Sequence, residues 1–265
     1  MKTNRDIYRW LNHRLKESAA RKLVVITGAR QTGKTTLVKS RYPDLHYLNL
    51  DVIEEREALS LVRTRAWGST VGPAVIDEAQ KLPSVFDKVK WAFGEGKIDF
   101  TVLTGSSRIL LLKQIQETMA GRTYLYDLWP LMASELMNPE GPPLDFPLIH
   151  RLFTTSTSIN TLLRKEPSVI LGTDAENRLA AVDHLAQWGG MPGLLPLPPE
   201  ERHDWLRSYQ QTFLERNLMD LVRLRDLAPF RTLQKMSMLR SGRLLSFSEL
   251  ARDAGIVVNT ARRYI

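Results

Sequence analysis

The chain has 265 residues, with 43% hydrophobic and 25% charged side chains, the ordinary balance of a soluble globular protein large enough for one sizeable domain and a smaller appendage. No stretch approaches the roughly 20 unbroken apolar residues that a membrane span needs, and the polar N-terminus has neither an apolar core nor a small-residue cleavage site. Cysteine is absent, which excludes disulfides and thiolate metal sites, and the five histidines show no metal-ligand spacing; the expectation is a cytoplasmic protein that does not engage a membrane. The net charge of +8 favours acidic partners. It is concentrated at the two ends: residues 1–40 carry ten Lys/Arg against two acids, and residues 231–265 carry seven against two.

In chain order, Ile7, Trp10, Leu11 and Leu15 recur at helical spacing and predict a first helix over 4–18. Residues 21–28 read as a buried parallel strand, a β-branched run stopped by glycine, followed by a helix. Further strands are expected at 45–51, 73–79, 99–107 and 122–131, separated by helices at 54–66, 84–93 and 108–121. This alternation predicts an α/β domain on a parallel sheet, ending at the Pro/Gly-rich break of 138–147. Residues 148–228 read as mostly helical and 229–265 as a separate segment, so three parts are expected: 1–137, 148–228 and 229–265.

Two motifs carry chemistry. Gly28-Ala29-Arg30-Gln31-Thr32-Gly33-Lys34-Thr35, followed by Thr36, fits the P-loop pattern and lies between a predicted strand and a predicted helix. Glycines let such a loop curl until its N–H groups point at phosphate oxygens, and the helix behind adds the positive end of its dipole. Lys34 is expected on the β- and γ-phosphates of ATP or GTP, and the Thr35 hydroxyl on magnesium. Downstream, the apolar strand 74–76 ends in Asp77-Glu78, the Walker B pattern. Asp77 would hold magnesium through water, and Glu78 would orient and deprotonate the attacking water. The adjacent glutamate favours water as nucleophile over a small-molecule kinase.

Beyond these, Ser106 is the first choice, and Thr104 the second, for a γ-phosphate sensor at the end of the 99–107 strand; either also serves as a helix cap. Arg122, after the following helix, is placed as an arginine finger facing another subunit's nucleotide, or as a surface arginine at a helix C-terminus. A finger acting in trans would require a homo-oligomer. Arg30 and Gln80 are weaker candidates for nucleotide contact. Near the C-terminus, 245–255 reads as a helix closed by Gly255, 256–260 as a turn with Thr260 as the next N-cap, and 261–265 as a second helix. In a DNA reader, this helix-turn-helix pattern would put Asn259, Thr260, Arg262 and Arg263 at the start of the groove-facing helix; the same pattern serves packing between protein domains. The Trp188-Gly189-Gly190-Met191-Pro192-Gly193 cluster reads either as a tight interhelical turn or as a lining of the nucleotide.

The segments G-A-R-Q-T-G-K-T-T, V-I-D-E-A-Q, L-T-G-S-S and A-G-R, together with Trp129-Pro130-Leu131, Glu135, Gly189-Gly190-Met191-Pro192 and Tyr209 to Leu221, resemble the bacterial and archaeal AAA-like ATPase family with a C-terminal domain of unknown function. The resemblance covers nearly the whole chain. It implies a five-stranded parallel sheet of AAA type with a strand inserted between the Walker A and Walker B strands, then a helical lid and a winged-helix-like segment. It also implies ATP and magnesium as ligands. That family usually shows an Arg-Asp pair where this chain has Arg216-Asn217, so no acid-dependent role is assigned there. Its members run on well past this length, so a chain stopping at Tyr264-Ile265 inside a recognition helix is expected to be a fragment.

Overall fold

The computed structural model describes residues 9–106, 123–137, 148–165, 172–215 and 228–265. Five parallel strands form one sheet: β1 (Lys22–Thr27), β2 (His46–Asn49), β3 (Ala74–Asp77), β4 (Phe100–Gly105) and β5 (Thr123–Asp127), in the order β2-β3-β4-β1-β5. The strand after the P-loop strand therefore crosses to the far edge, and β4 returns to lie between β1 and β3. The register pairs Ile26 with Thr104 and Ile76 with Leu103, which brings the carboxyl ends of β1, β3 and β4 to one rim. In open α/β sheets that rim is where ligands bind.

The central strands are buried on both faces, and their side chains divide by strict alternation. Leu23 and Val25 of β1, Ala74 and Ile76 of β3 and Leu103 of β4 point to one face. There they meet Leu59 of α2 (Ile53–Leu61), Trp67 of α3 (Trp67–Thr70), and Phe86 and Val89 of α4 (Ser84–Gly94). Val24, Ile26, Val75, Phe100 and Val102 point the other way, against Leu15, Tyr126, Leu128 and, from α1 (Lys34–Arg41) and its C-cap, Leu37, Val38 and Tyr42. Val24, Val25, Ile26 and Ile76 are wholly inaccessible, so the P-loop and Walker B segments are anchored in the best-packed part of the molecule.

The expected helix over 4–18 is corrected within the described residues: only a short 3-10 turn forms, at Trp10–His13. The apolar spacing still does its work, since Leu15 is buried and Leu11 packs beside it. Ordinary helical geometry yields here to tertiary bonds made by Arg9 and the Trp10 amide. The helix expected at 108–121 and the break at 138–147 lie outside the described residues, as does the Arg216-Asn217 pair.

The chain divides into two compact units, Met1–Pro198 and Pro199–Ile265. In the first, the 16-residue helix Thr173–Trp188 ends at Gly189, and the Leu131 amide donates to the Gly190 carbonyl at 2.7 Å. A Cβ on Gly190 would stand 2.2 Å from the Leu131 carbonyl oxygen, so only glycine permits this approach. In the second unit, Leu233 of the helix Ala228–Leu239 is buried with Leu250, Ala251 and Ala254 of Phe247–Ala254 and Ala261 of Val258–Tyr264. Ser246 accepts the Glu249 amide as N-cap, and Gly255 closes the helix in the left-handed conformation. The last helix starts earlier than expected. Its N-cap is Val257, so Asn259 and Thr260 lie inside its first turn rather than in the loop.

Tyr42 fixes the far end of the P-loop helix. Its hydroxyl donates to the Lys16 carbonyl at 2.8 Å, and burial chiefly pushes its pKa up to about 12. The unfolded tyrosine ionises near 10, so the folded state holds the extra proton between those values. Its contribution to stability is complete below about pH 10 and is lost as the pH rises through about 12. Urea midpoints measured across that window should fall less steeply in Tyr42→Phe than in the wild type.

Candidate nucleotide site

The loop between β1 and α1 takes its shape from three unusual backbone positions. Gly28 (φ 154°) passes so close to β5's exit that a Cβ would lie 2.3 Å from the Leu128 carbonyl oxygen. Gln31 adopts φ 63° and Gly33, the N-cap of α1, φ 93°. The Thr32 hydroxyl donates back to the Ala29 carbonyl at 2.8 Å. Lys34 is buried and donates to the carbonyls of Gly28 and Ala29, both at 2.9 Å. Desolvation lowers its pKa, opposed by Glu78 and Asp77 and reinforced by Arg30. Ala29 and Gln31 are exposed on the loop crest, Arg30 is half-buried, and Thr35 and Thr36 stand in the first turn of α1.

Asp77, at the end of β3, is 3% exposed and collects hydroxyls from three other elements. Its Oδ2 accepts from Thr35 of α1 at 2.6 Å and from Tyr47 of β2 at 2.7 Å, and its Oδ1 accepts from Thr104 of β4. Tyr47 is a member of this group that the sequence reading missed. Its pKa is raised by burial, then by the bond to Asp77. Nothing local marks it; only the pairing of Tyr47 with Val75 across β2 and β3 carries it to the site.

Glu78 follows in the left-handed conformation (φ 55°), uncommon for a residue with a Cβ. That turn swings its carboxylate away from the strand and toward the end of β4, where Ser106 donates to Oε2 at 3.1 Å. Gln80 donates to the same oxygen. The two candidate sensors are thus divided between the two acids, Thr104 on Asp77 and Ser106 on Glu78. Arg122 lies outside the described residues.

A second cluster braces the loop from behind. Arg9 is buried, its Nε 3.1 Å from Glu135 Oε1, one Nη donating to the Thr32 carbonyl at 2.7 Å and the other to the Trp129 carbonyl. Glu135 also accepts the amides of Trp10 at 2.8 Å and Met132 at 3.0 Å. Desolvation lowers the Arg9 pKa, with Glu135 opposing. One ion pair therefore ties the N-terminal segment, the P-loop and the segment after β5 together.

The oxygens of Thr35 and Asp77 suit a hard divalent cation, and among the described residues no group of three or more His, Asp or Glu offers a denser cage. Such a sparse set fits magnesium, which keeps waters and takes phosphate oxygens for the rest of its shell. The curled loop, its lysine and the helix N-terminus fit a polyphosphate.

Parallel β2-β3-β4-β1-β5 order, a glycine-rich loop after β1 and an Asp-Glu pair ending β3 define a P-loop nucleotide-binding domain. Comparison with known proteins makes the assignment specific: residues 20–137 match the family model described as AAA domain, and residues 179–265 match Domain of unknown function (DUF8612). Residues 20–137 are thus similar to the AAA domain of P-loop ATPases, and residues 179–265 to that second domain. Over 249 residues it is 27% identical to the uncharacterized protein Rv2008c of Mycobacterium tuberculosis and, equally, to the uncharacterized protein Mb2031c of Mycobacterium bovis. Each match covers 92% of this chain and 46% of the relative, so the chain spans about half the length of the curated relatives it matches. Among solved structures it is similar to the Walker-type ATPase paby2304 of Pyrococcus abyssi (12% identity, TM-score 0.45, 92% of this chain and 87% of that one). It is also similar to AMPPCP-bound DnaA of Aquifex aeolicus (12% identity, TM-score 0.34, 96% and 83%). No helix among the described residues is long and apolar enough to cross a membrane.

Glu135→Ala would leave a buried guanidinium unpaired and strand two amides. Removing one partner of a buried pair costs about 3–5 kcal/mol, so a urea titration should show a large drop in midpoint, with Glu135→Gln intermediate. A midpoint unchanged in Glu135→Ala would mean that the pair contributes nothing.

Proposed function

We propose that this domain binds ATP with magnesium and hydrolyses it slowly, and that the cycle changes the conformation of the helical region that follows. The observation that carries the reading is the position of Glu78, half-buried one residue beyond Asp77 and turned by its left-handed backbone onto Ser106 at the strand rim. Residues Gly28 to Thr36 hold the triphosphate, with Lys34 leaving its loop carbonyls for the β- and γ-phosphates. Thr35 would hold magnesium directly and Asp77 would hold it through water; when bound, the ion would supply charge neutralisation. Glu78 takes a proton from water as its oxygen attacks the γ-phosphorus and the bond to the bridging oxygen breaks, giving ADP and phosphate. Ser106 steadies the glutamate and senses the γ-phosphate, and Arg122, from a neighbouring copy, stabilises the developing charge.

In this reading residues 1–137 are the ATPase core, 148–228 a lid and 229–265 a winged-helix-type segment. The Leu131–Gly190 contact supports a link to the lid, because it joins the segment braced by Arg9 to the end of the Thr173–Trp188 helix. A second reading is a nucleotide-gated switch with little turnover that docks DNA or a protein through the last helices. Asn259, Arg262 and Arg263 are exposed on Val258–Tyr264 and favour an acidic partner. A cytoplasmic location agrees with either.

Magnesium-dependent phosphate release from ATP separates the readings. Glu78→Gln should lower release at least about 100-fold while ATP still binds, the scale of a lost general base, and Lys34→Ala should weaken ATP binding itself. Tight ATP binding with no release from the wild type would favour the switch; release insensitive to Glu78→Gln would remove Glu78 from the chemistry.

A further inference from the structure

The role of Gln80 is not absorbed by the P-loop and Walker B geometry, and its surroundings are specific. It lies two residues past Glu78 in the 3-10 turn Ala79–Lys81. Its Nε2 donates to Glu78 Oε2 and also lies 3.3 Å from Ser106 Oγ, while Ser106 Oγ donates to that same carboxylate oxygen. The Gln80 Oε1 is buried and has no hydrogen-bond partner among the described residues. Turning the amide over would pair that carbonyl with Ser106 only by setting an acceptor against a carboxylate, so Glu78 dictates which way the amide faces. Both donors fall on Oε2. Among the described residues, that leaves Oε1 of Glu78 as the oxygen available to a water molecule.

We propose that Gln80 is the positioning residue of the water-activating glutamate: with Ser106 it pins Glu78 Oε2, fixing a side chain that starts from a strained left-handed backbone, and so presents Oε1 to the attacking water. This rests on the reading of Glu78 as general base. Gln80 itself donates no proton to the reaction and touches none of the reacting atoms. Its effect runs through the orientation of one carboxylate, where a displacement of about 1 Å costs up to about 100-fold in rate.

The test is magnesium-dependent phosphate release from ATP, with ATP affinity measured in parallel by a fluorescent ATP analogue. It compares the wild type, Gln80→Met, Glu78→Gln and the double variant. Methionine keeps the volume and removes the amide. Gln80→Met should lower kcat about 10- to 100-fold with analogue affinity within about twofold of wild type, and the double variant should be no slower than Glu78→Gln alone, because both changes act on one group. Wild-type kcat in Gln80→Met, beside an inactive Glu78→Gln, would overturn this inference and leave the ATPase reading intact. An additional loss in the double variant would also overturn it, since Gln80 would then act apart from Glu78. Wild-type release that ignores Glu78→Gln overturns both. If Gln80→Met loses its circular dichroism spectrum, Gln80→Leu decides: it removes the amide without adding charge beside Glu78, so unchanged turnover there refutes the proposal and a selective kcat loss supports it.

Discussion

The carboxylate of Asp77 is the interaction on which the arrangement of the site depends. It is buried at the end of β3, and a buried carboxylate must be hydrogen-bonded. Its partners come from the P-loop helix, from β2 and from β4, so satisfying one acid fixes the mutual position of four elements. The apolar faces of β1, β3 and β4 supply the burial that makes this demand strict. The Thr35 hydroxyl that holds the helix to the strand is also the one that, in the proposed function, a magnesium ion would take over.

The P-loop is held from two directions. In front, Lys34 draws the carbonyls of Gly28 and Ala29 inward; behind, Arg9 reaches the Thr32 carbonyl while paired with Glu135. Buried pairs of this kind are weak arguments for net stability, because desolvation offsets the attraction. Here the useful consequence is geometric: three segments distant in sequence converge on one guanidinium. From Glu135 the path continues through Met132 and Leu131 to Gly190, at the end of the helix Thr173–Trp188.

Glu78 shows how local strain can serve placement. A non-glycine residue at φ 55° persists only where its surroundings over-determine it. The surroundings here are the packed strand behind it and the hydrogen bonds from Gln80 and Ser106 ahead. Had the strand run on in extended backbone, the side chain would alternate to a face of the sheet rather than point along the rim.

Much of this was legible without coordinates. The P-loop and the Asp-Glu pair could be found from residue types at fixed spacing, because their chemistry is local: a glycine loop before a helix, and two acids ending an apolar strand. The buried strands were legible because β-branched runs bounded by glycine have few other uses, and Gly255 marked a helix end because its backbone requires a positive φ. Tertiary structure alone decided what depends on neighbours distant in sequence. The turn at Trp10–His13 replaced a periodic helix because Glu135 claims the Trp10 amide. Tyr47 joined Asp77 because β2 pairs with β3, and Thr104 and Ser106 went to different acids because β4 lies between β1 and β3. By itself the sequence determined which groups are available and which short segments hold them in shape. Which hydroxyl meets which carboxylate was settled only by packing, since burial makes every polar group find a partner and strand order determines which partners are in reach.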